Sequence, residues 1–385
     1  MPRKVTLFFL LVFTPSLVLG LTFPDRSLVD SQTRLGFGLL SDSLKSRPND
    51  NVIVSPAALL IQMTLAHDAA GAEGRSAMLA MMGLPGYSEQ QINAATSGFV
   101  EILDMYSDGP SEMAVSLWKN EQTRFLQPYS GLLAGFKVAE GNYDPAGQKI
   151  NDWLKTLFSQ TPALKKMPKN CKGLVLLDLA WFKPEWSIAF DPSRTKPAAF
   201  SAVDGASKTV PMMSQSGFFT YLQNRDFQAV GIPSFNGDIT VYLILPENTQ
   251  SVADLSRKLT AEQWAAWEPM FSDAEGYIEV PKLRVFTELD AADQLKKSKA
   301  SILFGKKPAD LSAAVQAKTS FEAVLQKNCL DLSEAGSPPP PPVFDPRTLK
   351  KHTFFNLSLN RPFLFIVKHN ITGVILLCGA VQRPE

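Results

Sequence analysis

Five consecutive prolines, Pro338 to Pro342 in "EAGSPPPPPVFDP", stand between two strand-like runs near the end of the chain. Proline has no backbone N–H and a fixed φ, so such a run neither continues a helix nor sits in the middle of a sheet. It is a stiff extended spacer, roughly 16 Å long over five residues. Any fold for this sequence has to leave that spacer outside its sheets while using the apolar segments on both sides.

The 385 residues carry a net charge of +1 and are 45% hydrophobic, enough for one large domain or two ordinary ones. A balance so close to neutral points to neither a nucleic-acid surface nor a membrane surface. The N-terminus "MPRKVTLFFLLVFTPSLVLG" pairs Arg3 and Lys4 with an apolar core and a Val18-x-Gly20 end, the pattern of a secretory signal peptide over residues 1–20. Pro15 interrupts the run, which is also short for a membrane span. Secreted, extracellular localisation is therefore expected, and the sequons at Asn356 and Asn370 are candidate glycosylation sites consistent with it. Cys171, Cys329 and Cys378 form an odd set, so at least one thiol is free or intermolecular; a Cys171–Cys329 bridge stays open.

Along residues 21–385 helical spacing dominates early and strands dominate late, without β–α alternation or repeats, which predicts a single α+β domain. Ser55 and Pro56 in "NVIVSPAALL" read as the N-cap and first position of a helix. "GLVLLDLAWF" is continuous apolar sequence and predicts a strand buried on both faces. "TAEQW" offers a capping box, Thr260 with Gln263, and "RPFLFIVKHNITGVILLCGAV" a hairpin turning at Asn370. Catalytic signatures (G-x-S-x-G, H-E-x-x-H, a P-loop, G-x-G-x-x-G) are missing. The three histidines, His67, His352 and His369, neighbour no nucleophile or metal-ligand set in sequence. No enzyme, metal or cofactor is expected.

"NVIVSPAALLIQMTLAHDAAGAEGRS", "GLVLLDLAWFKPEW", "VPMM", "VYLILPE", "EVPKLRV", "SILF", "ADLS" and "NRPFLFIV" followed by "ILLCGAVQRPE", in this order, resemble the serpin family over almost the whole mature chain. The resemblance implies three β-sheets, a helical cluster and an exposed reactive-centre loop, about residues 336–355. It also implies suicide inhibition of a protease, in which the cleaved loop enters the middle of sheet A as a new strand. The hinge that enters first begins Glu-x-Gly-Thr and continues in small residues; here Glu334, Gly336 and Ser337 keep the start, and Pro338, Pro339, Pro340, Pro341 and Pro342 occupy the alanine positions.

In a central strand each backbone N–H bonds to a neighbour, so five prolines remove five donors, at about 1–3 kcal/mol for each group left unpaired. That sums to about 5–15 kcal/mol, comparable to the stability of a whole domain. A non-inhibitory binding, carrier, storage or regulatory protein is therefore expected. The resemblance also places a breach at Trp186, Lys282 and Glu334, and a shutter at Ser55, Ala58, Asp178 and Gln326, where the family tends to have serine, serine, asparagine and histidine. Counting from Glu334 puts the candidate reactive bond after Lys350, beside Lys351 and Arg347, which suits an extracellular trypsin-like serine protease as partner or cleaving enzyme. Heparin is not expected as a ligand, because the segment resembling helix D lacks basic residues, and a monomer is expected.

Overall fold

A computed structural model describes residues 25–105, 111–165, 171–305, 307–338 and 354–384. The leader at 1–20 lies outside them, as do Pro339 to Pro342, Arg347, Lys350, Lys351 and His352. Helix α1 (Arg26–Ser46) starts at Asp25, whose carboxylate accepts the Ser27 N–H at 2.7 Å. A short strand β1 (Val52–Val54) leads into α2 (Pro56–Ala69), which begins as its sequence predicts: Ser55 Oγ accepts the Ala58 N–H, and Pro56 fills the first position. Every residue of α2 is buried, the signature of a helix covered all round. His67 belongs to its last turn, with Nδ1 2.7 Å from Asp68 Oδ1.

α3 (Ala72–Met82), α4 (Glu89–Met105), β2 (Glu112–Lys119), α5 (Gln127–Gly135), β3 (Ala139–Asn142), α6 (Gln148–Leu157) and β4 (Leu174–Phe182) follow. Strands then dominate: β5 (Lys196–Ser201), β6 (Ser207–Gln223), β7 (Phe227–Ser234) and β8 (Ile239–Pro246). After α7 (Val252–Lys258) and α8 (Ala261–Trp267) come β9 (Ser272–Pro281), β10 (Leu283–Asp290), α9 (Ala292–Leu295) and β11 (Phe321–Leu332). The chain ends in β12 (Phe355–Ser358), β13 (Phe363–His369) and β14 (Ile375–Val381), the last two forming the hairpin that turns at Asn370. Thr260 caps α8 by accepting the Gln263 N–H at 3.1 Å, while the reciprocal capping box forms one helix earlier, between Ser251 and Asp254.

These strands make two hydrogen-bonded sheets. The larger has the order β1-β14-β13-β8-β7-β6-β9-β12, with β5 also on β6. Two of the three sheets implied by resemblance are joined here because the 17-residue β6 runs through both, pairing β5 at one end and β7 at the other. The smaller sheet has the order β10-β11-β4-β2-β3. Its central strand β4 alternates sides: Leu174 and Leu176 join the main core, whereas Val175, Leu177 and Leu179 pack under α6. Both faces are thus covered, which is why β4 is apolar without alternation.

The open question of a disulfide closes on geometry. All three cysteines are free. Leu174 pairs with Phe321 while Cys329 pairs with Trp181 further along the same ladder, so Cys171 and Cys329 are separated by roughly 25 Å of strand, far beyond disulfide reach. No helix among the described residues is long and apolar enough to cross a membrane.

Candidate functional site

Past the end of β11 the chain continues beside the segment that follows β4. Trp186 N–H donates to Ala335 O at 3.0 Å and its carbonyl accepts from Ser337 N–H at 2.8 Å; Ala189 N–H then donates to Ser337 O at 2.8 Å. The Trp186 side chain is fully buried, its Nε1 donating to Ser333 O at 2.7 Å and its ring edge-on to Phe190. This approach explains Gly336: a Cβ there would lie 2.3 Å from the Trp186 carbonyl oxygen. Lys282 Nζ meets Glu334 Oε2 at 2.8 Å, and Thr195 Oγ1 donates to the other oxygen at 2.9 Å. Burial works against ionised Glu334, but the hydrogen bonds of Lys282, its own backbone and Thr195 outweigh it and hold the carboxyl below its usual range. Among the described residues the ladder's last member is Ser337; Pro338 is exposed and has no N–H with which to extend it.

Below this point β4 and β11 are direct neighbours, parallel and in continuous register from Val175 opposite Ala323 to Phe182 opposite Leu330. No gap exists for another strand, whose entry would force the two apart by about 4.8 Å. At mid-seam Asp178 lies opposite Gln326. Gln326 ties the seam to α2, accepting the Ser55 N–H at 3.2 Å and donating to the Ser55 carbonyl at 3.1 Å. Ser55 Oγ donates to Leu376 O, Asn328 donates to Ile53 O, and Gln62 Nε2 donates to Leu325 O. Ala58 is buried and contributes its backbone N–H only. Asp178 is also buried, with neither carboxyl oxygen in a hydrogen bond, and the Gln62 Oε1 is likewise without a partner. Burial drives the Asp178 carboxyl well above the usual carboxylate range, and the amides of Gln326 and Gln62 offset only part of that effect.

A strap formed by residues 158–165, after α6, crosses the outside of the seam. Phe158 stacks on Trp181 of β4 at 3.6 Å between ring centroids and lies 6.2 Å from Phe286 of β10, so one ring bridges both sides. Arg284 holds the strap at Gln160 while pairing with Asp331 of β11 at 2.8 Å. Further down, Glu288 accepts the Lys165 N–H at 2.9 Å and pairs at 3.2 Å with Lys327, which is almost fully buried. Burial pushes the Lys327 ammonium pKa down, and Glu288 opposes that shift. Sequence reading placed none of these residues in the site. The signal available was three consecutive polar residues, Gln326 to Asn328, in the middle of a buried strand: the first bonds Ser55 at the start of α2, the third bonds Ile53 of β1, and the second faces the strap. Phe158→Ala is expected to cost about 3–5 kcal/mol of stability, read by denaturant unfolding, because it removes the ring that spans the seam.

The family's sequence model, described as Serpin (serine protease inhibitor), matches residues 30–384. The chain belongs to the serpin family. It is 26% identical to "Serine protease inhibitor 42Dd" of Drosophila melanogaster over 360 residues, covering 88% of this chain and 93% of the relative. Human "Glia-derived nexin" is 24% identical over 392 residues, covering 94% and 95%, and mouse "Neuroserpin" 23% identical over 390, covering 96% and 94%. The fold matches the solved structure of native protease nexin-1 with heparin at a TM-score of 0.79 and 21% identity, covering 93% of this chain and 99% of that one.

In this serpin the loop start is thus held at Trp186, and the five-stranded sheet, sheet A of the family, is closed. Asn356 is exposed on β12, and Asn370 is exposed in the β13–β14 turn, where its Nδ2 donates to Gly237 O at 2.7 Å. Helix α4 contains no lysine, arginine or histidine. Among the described residues no group of three or more histidines, cysteines or acids is placed to hold a metal ion.

Proposed function

We propose that this serpin is secreted and acts by binding rather than by suicide inhibition, because its hinge does not enter sheet A. The observation that carries the reading is that the Trp186 ladder reaches Ser337 and the sequence then continues in five residues without an N–H donor. Continuation as a central strand would forfeit five hydrogen bonds, about 5–15 kcal/mol. The paired seam and the strap support the same reading, since each opposes separation of β4 from β11. The role within the binding class is that of a carrier, storage or regulatory protein, monomeric, with glycans at Asn356 and Asn370. Helix α4 offers no basic residue to a sulfated polysaccharide, so the reading includes no heparin site on that helix.

The names of its relatives include protease inhibitors, and the basic residues Arg347, Lys350 and Lys351 favour a second reading: an inhibitor or decoy substrate of a trypsin-like protease, cut after Lys350. Trypsin digestion followed by denaturing electrophoresis and a melting curve separates the two. The expected result is cleavage near Lys350, no complex that survives denaturation, and a melting temperature close to that of the intact protein. A covalent complex would overturn the non-inhibitory reading.

A further inference from the structure

The lower end of the strap borders a cavity of about 250 Å³. Its wall brings together three basic side chains from distant parts of the chain: Arg47 at the C-terminal cap of α1, Lys165 at the end of the strap, and Arg383 near the C-terminus. Two carboxylates share the wall, but both are engaged. Asp50 pairs with Arg383 at 3.1 Å, and Glu288 pairs with the buried Lys327 while accepting the Lys165 N–H. Arg47 donates at 3.0 Å to the backbone carbonyl of Glu288, which leaves its charge uncompensated. Among the described residues neither Arg47 nor Lys165 has a carboxylate at ion-pairing distance. With Asp50 matched by Arg383 and Glu288 by Lys327, which lies outside the lining, two positive charges in the wall, Arg47 and Lys165, stay unmatched. Thr287 adds a hydroxyl to the same wall, already directed at Ile53 O at the long distance of 3.4 Å.

We propose that this cavity binds a dianionic oxyanion, a phosphate or sulfate group carried free or as a monoester. Such a group matches the excess charge, and Arg47 supplies the forked donor geometry that tetrahedral oxyanions take. Bound there, it joins the strap at Lys165 to α1 and the C-terminal segment, and so fastens the strap over the seam.

The test is thermal unfolding of the full chain in inorganic phosphate, in sulfate and in O-phosphoserine, each against chloride at equal ionic strength and pH 7.5. A ligand at tenfold its dissociation constant is expected to raise the melting temperature by about 2–4 °C. Lys165→Ala, at an exposed position, should abolish most of that shift, as should Arg47→Ala, whereas the exposed Lys297→Ala should retain it. A larger shift with O-phosphoserine than with the free anions identifies a monoester as the ligand; equal shifts identify the free anion. No shift beyond chloride, or a full shift retained in Lys165→Ala and Arg47→Ala, overturns the proposal. Reading the ligand-induced shift within each variant, rather than its absolute melting temperature, keeps the outcome separate from any effect of the substitution on folding.

Discussion

With Pro338 to Pro342 replaced by alanine, the loop is expected to enter sheet A once cut. Alanine restores five N–H donors, so the penalty of about 5–15 kcal/mol disappears from the inserted state. In the parent protein, cleavage after Lys350 should leave the melting temperature nearly unchanged. In the alanine variant, the cleaved form should melt about 10 °C or more above the intact form. Calorimetry of both forms of both proteins measures this directly. If the cleaved variant gains nothing, the prolines are not the sole obstacle, and the seam itself resists opening through Gln326, Phe158 and Lys327. Adding Phe158→Ala to the alanine variant would then distinguish the strap from the shutter.

Asp178→Asn is expected to stabilise the intact protein, and to do so in a pH-dependent way. Burial raises the folded-state pKa of Asp178 above its unfolded value, so the folded chain holds a proton that the unfolded chain releases. Stability contributed by that protonated carboxyl is present near and below the unfolded pKa of about 4 and is lost as pH rises toward the folded value. Asparagine does not titrate, and its amide supplies a donor for the unpartnered Gln62 Oε1. The gain should be about 1–3 kcal/mol at pH 7.5 and shrink toward pH 4, measured by denaturant unfolding across that range. A gain of the same size at both pH values would mean that Asp178 carries no buried proton and that the effect is one of packing.

Much of this arrangement could be read from local chemistry. The Ser55–Pro56 helix start, the doubly buried β4 and the hairpin at Asn370 each depend on a few adjacent residues, and folding left them in place. The expectation for the hinge likewise rests on local chemistry, since proline carries its constraint in any context. What could not be read depends on pairings between distant segments. Phe158 looks like the end of one more amphipathic helix until β4 and β10 come together beneath it. Lys327 and Glu288 lie in different strands, and only the antiparallel register of β10 on β11 sets them side by side. Asp178 drew attention as a departure from a family pattern, but its lack of partners depends on how the Gln62 and Gln326 amides are oriented. Two details also wait on long-range pairing: strand register separates Cys171 from Cys329, which the sequence left open, and the length of β6 joins two sheets into one hydrogen-bonded array.

The strands beyond the loop have a consequence for what a nicked molecule is. A cut after Lys350 severs the backbone ahead of β12, β13 and β14, yet β13 lies between β8 and β14, and β14 between β13 and β1. All seven residues of β14 are buried, and β12 is paired along β9. The short C-terminal piece is therefore an interior component of the particle, held by sheet hydrogen bonds and apolar contact rather than by the peptide bond. A clipped population would travel as one species in native chromatography and separate into two chains only in denaturant. Proteolysis after Lys350 would thus leave the concentration of folded particles unchanged.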